Sequence, residues 1–149
     1  MKNVLFICTG NTCRSPMAEA IFNKKCQEQN LDFHASSAGV ATVDGLTANK
    51  KAIDTMAQMG LDITSHRTRF LPNVKLNNYD YFVTMNYDQA TLVESLGIPR
   101  DLIHILQKKP ADKYDFEVGI ADPYGGDMLA YKKCVDDLNE AIDELMKVL

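Results

Sequence analysis

A cysteine and an arginine near the start of the chain could do chemistry together. Cys8 follows the apolar run Val4–Ile7, and Arg14 precedes Ser15, which gives the pattern C-x5-R-S. A loop between a strand and a helix can turn its N–H groups towards one anion, and the helix N-terminus adds positive potential there. Arginine can bind two phosphoryl oxygens at once, and positive surroundings favour the thiolate form of cysteine. The pattern predicts a phosphate-binding loop with a nucleophilic cysteine.

The residues between these two side chains fit the same interpretation. We expect the loop to bind substrate through Thr9, Gly10, Asn11, Thr12, Cys13 and Arg14. Gly10 and Asn11 tolerate the positive φ that such a loop requires. A buried structural thiol is the alternative for Cys8, because cysteine is among the most buried residue types. The complete pattern favours the functional interpretation, and the lack of Gly-Lys-Ser/Thr excludes a Walker A loop.

A second candidate for chemistry lies far along the chain. Asp122 begins the stretch Asp-Pro-Tyr-Gly-Gly, within the polar segment Gln107–Gly126, which is too long to be a plain connection. An alkoxide or amine that leaves phosphorus needs a proton, and Asp122 is the best candidate for the general acid. Asp-Pro is also a common start of a β-turn, so a purely structural turn is the alternative.

Alternating strands and helices must position these residues. Apolar runs predict strands over 3–7, 32–38, 79–85 and 102–106. Helical spacing and caps predict helices that begin at Ser15, cover 47–59 with Thr47 as N-cap, cover 86–96, and run from 127 to the end. On the last helix an apolar stripe is expected from Leu129, Leu138, Ile142, Leu145 and Leu149.

This alternation predicts an α/β fold in three layers, a four-stranded parallel sheet flanked by helices on both faces. Ligands then bind beyond the carboxyl ends of the strands. With 149 residues, we expect one domain spanning residues 1–149.

Composition and charge exclude other classes of partner. The net charge of −4, from 16 basic and 20 acidic residues, argues against nucleic acid. No stretch approaches the roughly 20 apolar residues of a membrane span, and Val4–Ile7 is too short for a signal peptide. We therefore expect a cytoplasmic protein with reduced cysteines. The four cysteines contain no C-x2-C pair, so no metal site is expected.

Over essentially its full length the sequence resembles the low-molecular-weight protein tyrosine phosphatase family. The matching stretches are Val4–Ala18, Ser36–Gly39, Ser65–Arg67 and Asp122–Tyr124. The resemblance implies that Cys8 attacks phosphorus to form a phosphocysteine and that Arg14 holds the equatorial oxygens. It implies that Asp122 protonates the leaving group and then acts as a base on water. It also implies a phosphorylated protein substrate, phosphate or another oxyanion in the loop, and no cofactor.

The resemblance assigns supporting roles to residues around the loop. It implies that Ser15 hydrogen-bonds the thiolate and that a network with Ser37 and His66 holds Asn11 in a strained conformation. Cys13 matches a second loop cysteine of the family, which can trap an oxidised nucleophile as a disulfide. A packing role for Cys13 is the alternative, and both stay open.

Two positions bear on the choice of substrate. Tyrosine-specific members of the family commonly carry Ile or Leu where this chain has Thr12, and often a second aromatic residue where it has Gly125. In both features the chain resembles the branch of the family that hydrolyses phosphoarginine. Tyr124 could stack on a phenyl ring or a guanidinium plane. Phosphotyrosine and phosphoarginine both stay open, with arginine favoured.

Two further functions are weighed against phosphatase activity. Thiol-dependent arsenate reduction needs, in the family, further cysteines near the third strand and its following helix, and residues 79–96 contain none. A non-catalytic phosphate-binding module would require Cys8 or Asp122 to be dispensable.

Overall fold

The computed structural model describes residues 1–108 and 119–149, and within them strands and helices alternate as the sequence predicts. The strands are β1 Lys2–Cys8, β2 Phe33–Gly39, β3 Tyr81–Thr84 and β4 Ile103–Ile105. The helices are α1 Arg14–Glu28, α2 Lys50–Gln58, α3 Tyr87–Ser95 and α4 Met128–Met146. Short 3-10 turns cover Leu71–Asn73, Leu76–Asn78 and Arg100–Leu102.

The four strands form one parallel sheet with the order β2-β1-β3-β4. Successive residues of β1 point to opposite faces, and both faces are buried by apolar side chains. One core cluster joins Phe6 of β1 to α1, α2 and α4, while the other joins Leu5 to α3. This is the three-layer α/β architecture predicted from the sequence, with helices on both faces of the sheet.

The strand order reverses direction at β1. The chain moves outward from β1 to β2 and then returns to the other side of β1 to form β3 and β4. In sheets of this kind a crevice opens beyond the carboxyl ends of the strands on either side of the reversal. Cys8 is the last residue of β1, so the fold delivers the predicted nucleophile to that crevice.

Three details of the helices differ from the predictions. Helix α1 begins at Arg14 rather than at a Ser15 cap, because the Ser15 hydroxyl contacts Cys8 and Asn11 instead. Helix α2 is capped by Asn49 and not by Thr47. Leu129 is 75% exposed, since it lies about two and a half helical turns before the buried Leu138, on the opposite side of α4.

The predicted polar segment 107–126 is described in part. Residues 109–118 of it lie outside the described residues. Over 1–108 and 119–149, no helix is long and apolar enough to cross a membrane.

Candidate active site

The loop between β1 and α1 forms the floor of a cavity of about 200 Å3. The cavity is lined by Cys8, Thr9, Gly10, Thr12, Cys13, Arg14, Asp122 and Tyr124. The structure thus brings together every residue predicted to be catalytic and all but one of those predicted to bind substrate. The exception is Asn11, a residue of the loop that is fully buried.

The sulfur of Cys8 is buried and receives two polar contacts. The backbone N–H of Asn11 donates to Sγ at 3.2 Å, and the Ser15 hydroxyl lies 2.9 Å from Sγ. The backbone N–H can only donate, and the hydroxyl can donate or accept. The sulfur of the predicted nucleophile therefore lies between two polar groups of the loop and of α1.

The orientation of the Asn11 amide decides whether Asn11 donates to the Ser15 hydroxyl or accepts from it. Its Oδ1 accepts the backbone N–H of Arg69 at 2.9 Å, which fixes the orientation of the side-chain amide because a backbone nitrogen can only donate. Its Nδ2 then donates to Ser15 Oγ at 2.8 Å and to Ser37 Oγ at 3.0 Å. Since Ser15 Oγ already accepts from Asn11, its own hydrogen is free to point at Cys8.

This network also supports a strained backbone. Asn11 has φ +58°, a left-handed conformation that non-glycine residues adopt rarely. His66 Nε2 donates to the Asn11 carbonyl at 2.7 Å, because the carbonyl can only accept. Burial lowers the pKa of His66, which favours a neutral ring with its hydrogen on Nε2. The predicted contacts of Asn11 with Ser37 and His66 are both present.

Gly10 does not adopt the positive φ that was expected of it, and that prediction is wrong.

A glycine in the neighbouring strand is required because there is no space for a side chain. A Cβ on Gly39, at the end of β2, would lie 2.7 Å from the Thr9 carbonyl oxygen and 2.9 Å from Asn11 Cβ. The phosphate loop therefore packs against a strand end that has no room for a side chain.

A partly buried carboxyl group extends the network behind the loop. Burial raises the pKa of Glu19, while the Ser37 hydroxyl and the charge of Arg69 favour its ionised form. Arg69 also donates from Nε to the Ser37 carbonyl at 3.2 Å and from Nη2 to the Tyr79 hydroxyl at 2.9 Å. These contacts link α1, β2 and the segment before β3 behind the loop.

The guanidinium of Arg14 is buried and faces the loop that carries Asp122. Its Nη1 donates to the Ile120 carbonyl at 2.9 Å, and its Nη2 lies 3.6 Å from Asp122 Oδ2. The Asp122 side chain is 50% exposed, so the pair lies at the mouth of the cavity. The predicted phosphoryl ligand and the predicted acid are therefore neighbours.

Asp122 occupies a turn, as one interpretation of Asp-Pro predicted, and it also faces the cavity. Its Oδ1 accepts the backbone N–H of Tyr124 at 3.0 Å. The Gly126 N–H donates to the Pro123 carbonyl at 2.8 Å, and Gly125 has φ +82° within that turn. The two interpretations of this stretch are thus compatible.

Cys13 lies on the cavity wall with a buried tyrosine behind it. Its Sγ is 3.2 Å from the hydroxyl of Tyr131 on α4. Burial raises the pKa of both groups, although the hydrogen bond from Tyr131 opposes the shift at Cys13. Thr12 lies beside Cys13, with Oγ1 3.7 Å from its sulfur, and its carbonyl accepts the Asn49 N–H.

Sequence reasoning missed several residues that support the site. Gln89 of α3 is buried, accepts the Met85 N–H at 2.8 Å and donates to Thr9 Oγ1 at 3.2 Å. Arg69 contributes through its backbone N–H, and Tyr131 through a hydroxyl on the last helix. For Gln89, the one available sequence signal is a polar residue at a helix position expected to be buried. The contribution of Arg69 comes from its backbone N–H, which its residue type does not predict.

Metal ligation was not expected, and the described part of the chain contains no group of three or more His, Cys, Asp or Glu side chains that could hold an ion. The Arg14 guanidinium on the cavity wall can bind an anionic ligand, and the Asp122 carboxyl group lies beside it at the mouth.

A family model described as low molecular weight phosphotyrosine protein phosphatase matches residues 3–149. The chain belongs to this family, and it is a protein phosphatase of the cysteine-dependent type.

The relatives of this chain are named for different activities. The chain is 29% identical over 148 residues to the protein-arginine-phosphatase of Bacillus subtilis (strain 168), covering 99% of this chain and 96% of the relative. It is 30% identical over 142 residues to the arsenate reductase of Staphylococcus aureus (strain Newman), covering 95% and 94%.

Solved structures agree with the fold and the assignment. The low molecular weight protein tyrosine phosphatase from T. tengcongensis is 36% identical and superposes with a TM-score of 0.87 over 100% of both chains. A cysteine-to-serine mutant of the YwlE arginine phosphatase, with a phosphorylated active-site serine, is 27% identical and gives a TM-score of 0.84 over 97% and 93% of the two chains.

Proposed function

We propose that this protein removes phosphoryl groups from proteins through a phosphocysteine on Cys8, with Arg14 as the phosphoryl ligand and Asp122 as acid and base. One observation carries the proposal. One cavity is lined by the Cys8 sulfur, which has two hydrogen-bond contacts, and by the buried Arg14 guanidinium of the same loop. The half-exposed Asp122 carboxyl group reaches that cavity from a distant part of the chain. Nucleophile, anion ligand and proton donor are the three groups that this reaction needs.

The reaction has two halves. The Cys8 thiolate attacks phosphorus, and the P–S bond forms as the bond from phosphorus to the leaving oxygen or nitrogen breaks. Asp122 gives its proton to that leaving atom. Water then attacks phosphorus, Asp122 takes a proton from it, and the P–S bond breaks to return the thiolate.

Ser15 assists where negative charge gathers on sulfur. The Ser15 hydroxyl lies 2.9 Å from Cys8 Sγ and can donate to a thiolate there, and a hydrogen bond to a charged group contributes about 1.5–3 kcal/mol. The second half of the reaction expels Cys8 as a thiolate, so the Ser15 hydroxyl lowers the barrier to that step.

The substrate that the site favours is phosphoarginine, with phosphotyrosine as the second. Thr12 is one of the residues that line the cavity, and we propose that its hydroxyl hydrogen-bonds the guanidinium leaving group. The positive φ of Gly125 would strain an aromatic side chain, so this turn does not suit the second aromatic residue of tyrosine-specific relatives. Tyr124 remains as one wall. The similarity to a Bacillus protein-arginine-phosphatase supports the same choice.

A side-by-side assay tests the substrate. Two peptides with the same sequence, one with phosphoarginine and one with phosphotyrosine, are compared by kcat/KM. We expect hydrolysis of both, with the higher value for phosphoarginine. A higher value for phosphotyrosine would reverse the assignment, and hydrolysis of neither would refute the phosphatase proposal.

Arsenate reduction is the second candidate, since a relative carries that name. It needs reactive thiols beyond the loop. Cys26 and Cys134 are buried, and burial raises the pKa of both, to about 12 for Cys134. A neutral buried thiol is a poor nucleophile, so these two cysteines do not favour that chemistry.

We infer a cytoplasmic location and a single domain for the same chain. All four cysteines are free thiols, which suits a reducing compartment. Both core clusters pack on the same sheet, which supports one folding unit.

A further inference from the structure

An exposed lysine of α2 reaches the loop that carries Asp122. Lys51 Nζ donates to the Gly126 carbonyl at 2.6 Å, across 75 positions of sequence. An ammonium on a carbonyl forms a charge-assisted hydrogen bond, which is stronger than a neutral one. The adjacent Lys50 does not share this role, since its Nζ pairs with Asp54 on its own helix.

The start of α2 is also bonded to the phosphate loop. The Asn49 N–H donates to the Thr12 carbonyl at 2.9 Å, and the Asn49 side chain caps the helix at the Lys51 N–H. The first turn of α2 is therefore fixed to the wall of the cavity. Lys51 extends from that turn to Gly126, four residues after Asp122 in the chain.

The carbonyl that Lys51 binds belongs to the residue that closes the turn after Asp122. Gly126 donates its N–H to the Pro123 carbonyl, while Tyr124 donates its N–H to the Asp122 carboxylate. At the other end of this stretch, Ile120 is held by Arg14 and by the Met85 carbonyl. The residues that carry Asp122 are thus anchored at one end by Ile120 and at the other by Lys51.

We propose that Lys51 is a positioning residue that sets the place of Asp122 relative to the phosphate loop. The inference rests on the proposed role of Asp122 as general acid. The carboxylate is half exposed and faces Arg14 across 3.6 Å, so its position depends on the turn that carries it. Displacement of a catalytic group by about 1 Å can cost up to about 100-fold in rate.

Aryl phosphates whose leaving groups differ in basicity test this role. In Lys51→Met the methylene stem is largely kept and the donor is lost. We expect kcat/KM to fall by about 10-fold for the most basic leaving groups and to stay near wild type for the most acidic ones, which need little protonation. Lys51→Arg restores a donor and should recover most of the loss. Lys50→Met, the matched control, should match wild type throughout.

A double-mutant cycle with Asp122→Asn separates positioning from other effects. If Lys51 acts through Asp122, adding Lys51→Met to Asp122→Asn causes no further fall in kcat/KM. The unfolding midpoint of the single variant Lys51→Met stays at the wild-type value. An equal loss for all leaving groups, or losses that multiply in the double variant, would overturn the inference while leaving the acid role of Asp122 intact. If Asp122→Asn itself has no leaving-group dependence, both the inference and the acid assignment fail.

Discussion

At the scale of single residues, the reactivity of Cys8 depends on which hydrogens its neighbours can donate. Arg69 fixes the Asn11 amide, Asn11 donates to Ser15, and the Ser15 hydroxyl lies 2.9 Å from the sulfur, where it can donate to a thiolate. Each step follows from the donors and acceptors of the groups involved. A chain of contacts that begins outside the cavity thus positions the Ser15 hydroxyl beside the sulfur.

The role of Asp122 makes a prediction at the same scale. Asp122→Asn removes the transferable proton but keeps the size of the side chain. We expect kcat/KM for phosphoryl transfer to Cys8 to fall by about 100-fold to 10,000-fold, most for basic leaving groups. Steady-state kinetics on aryl phosphates measures this dependence. An equal loss for every leaving group, or none, would place the general acid elsewhere.

Thr12 is the residue predicted to choose between substrates. Thr12→Ile removes the hydroxyl of a residue that lines the cavity and adds apolar bulk. A guanidinium that loses this hydrogen bond is left with an unmet polar group at a cost of about 1–3 kcal/mol, so kcat/KM for phosphoarginine should fall by roughly 10-fold to 100-fold. Phosphotyrosine should be unaffected or improved. The ratio of the two constants cancels general damage, and an unchanged ratio would show that Thr12 does not discriminate.

At the scale of elements, the end of β2 fixes the shape of the phosphate loop. Gly39→Ala would bring a Cβ to 2.7 Å from the Thr9 carbonyl oxygen, where backbone must move. Overpacking of this kind costs about 1–3 kcal/mol of stability, and we expect a lower unfolding midpoint together with a lower kcat/KM. An alanine variant with wild-type stability and wild-type kinetics would show that the loop does not depend on this contact.

The sequence predicted the order and type of these elements better than their ends. The buried run of β1 and the C-x5-R-S pattern were sufficient to locate the loop, because both are local. The start of α1 was missed because the Ser15 hydroxyl, an ordinary cap, is used by Cys8 and Asn11. The contact of Lys51 with Gly126 has no local pattern, since it depends on how two distant segments approach each other in the fold.

At the scale of the whole molecule, burial of titratable groups links the site to stability. Burial lowers the pKa of His66 below its usual 6.5. As pH falls below about 6.5, the unfolded chain takes up this proton before the folded protein does, so stability is lost until the lower folded pKa is passed. Above pH 6.5 both states are neutral at this group, and its contribution is constant.

His66→Gln tests this linkage. Glutamine keeps an N–H that can donate to the Asn11 carbonyl and does not titrate. We expect the variant to lose less stability than the wild type between about pH 6.5 and the lower folded pKa, in denaturant titrations at each pH. Glu19, whose pKa is raised, and His104, whose pKa is lowered, titrate in both proteins, so the difference isolates His66. Parallel profiles would contradict the linkage.

A covalent phosphocysteine on Cys8 is the claim on which the proposed function rests. Rapid acid or base quench of the enzyme during turnover, followed by mass spectrometry of the peptide that contains Cys8, detects it directly. We expect one phosphoryl group on Cys8, and we expect Cys8→Ser to abolish turnover while the cavity still binds phosphate or vanadate. Unmodified Cys8 throughout turnover, together with near wild-type activity in Cys8→Ser, would contradict the mechanism.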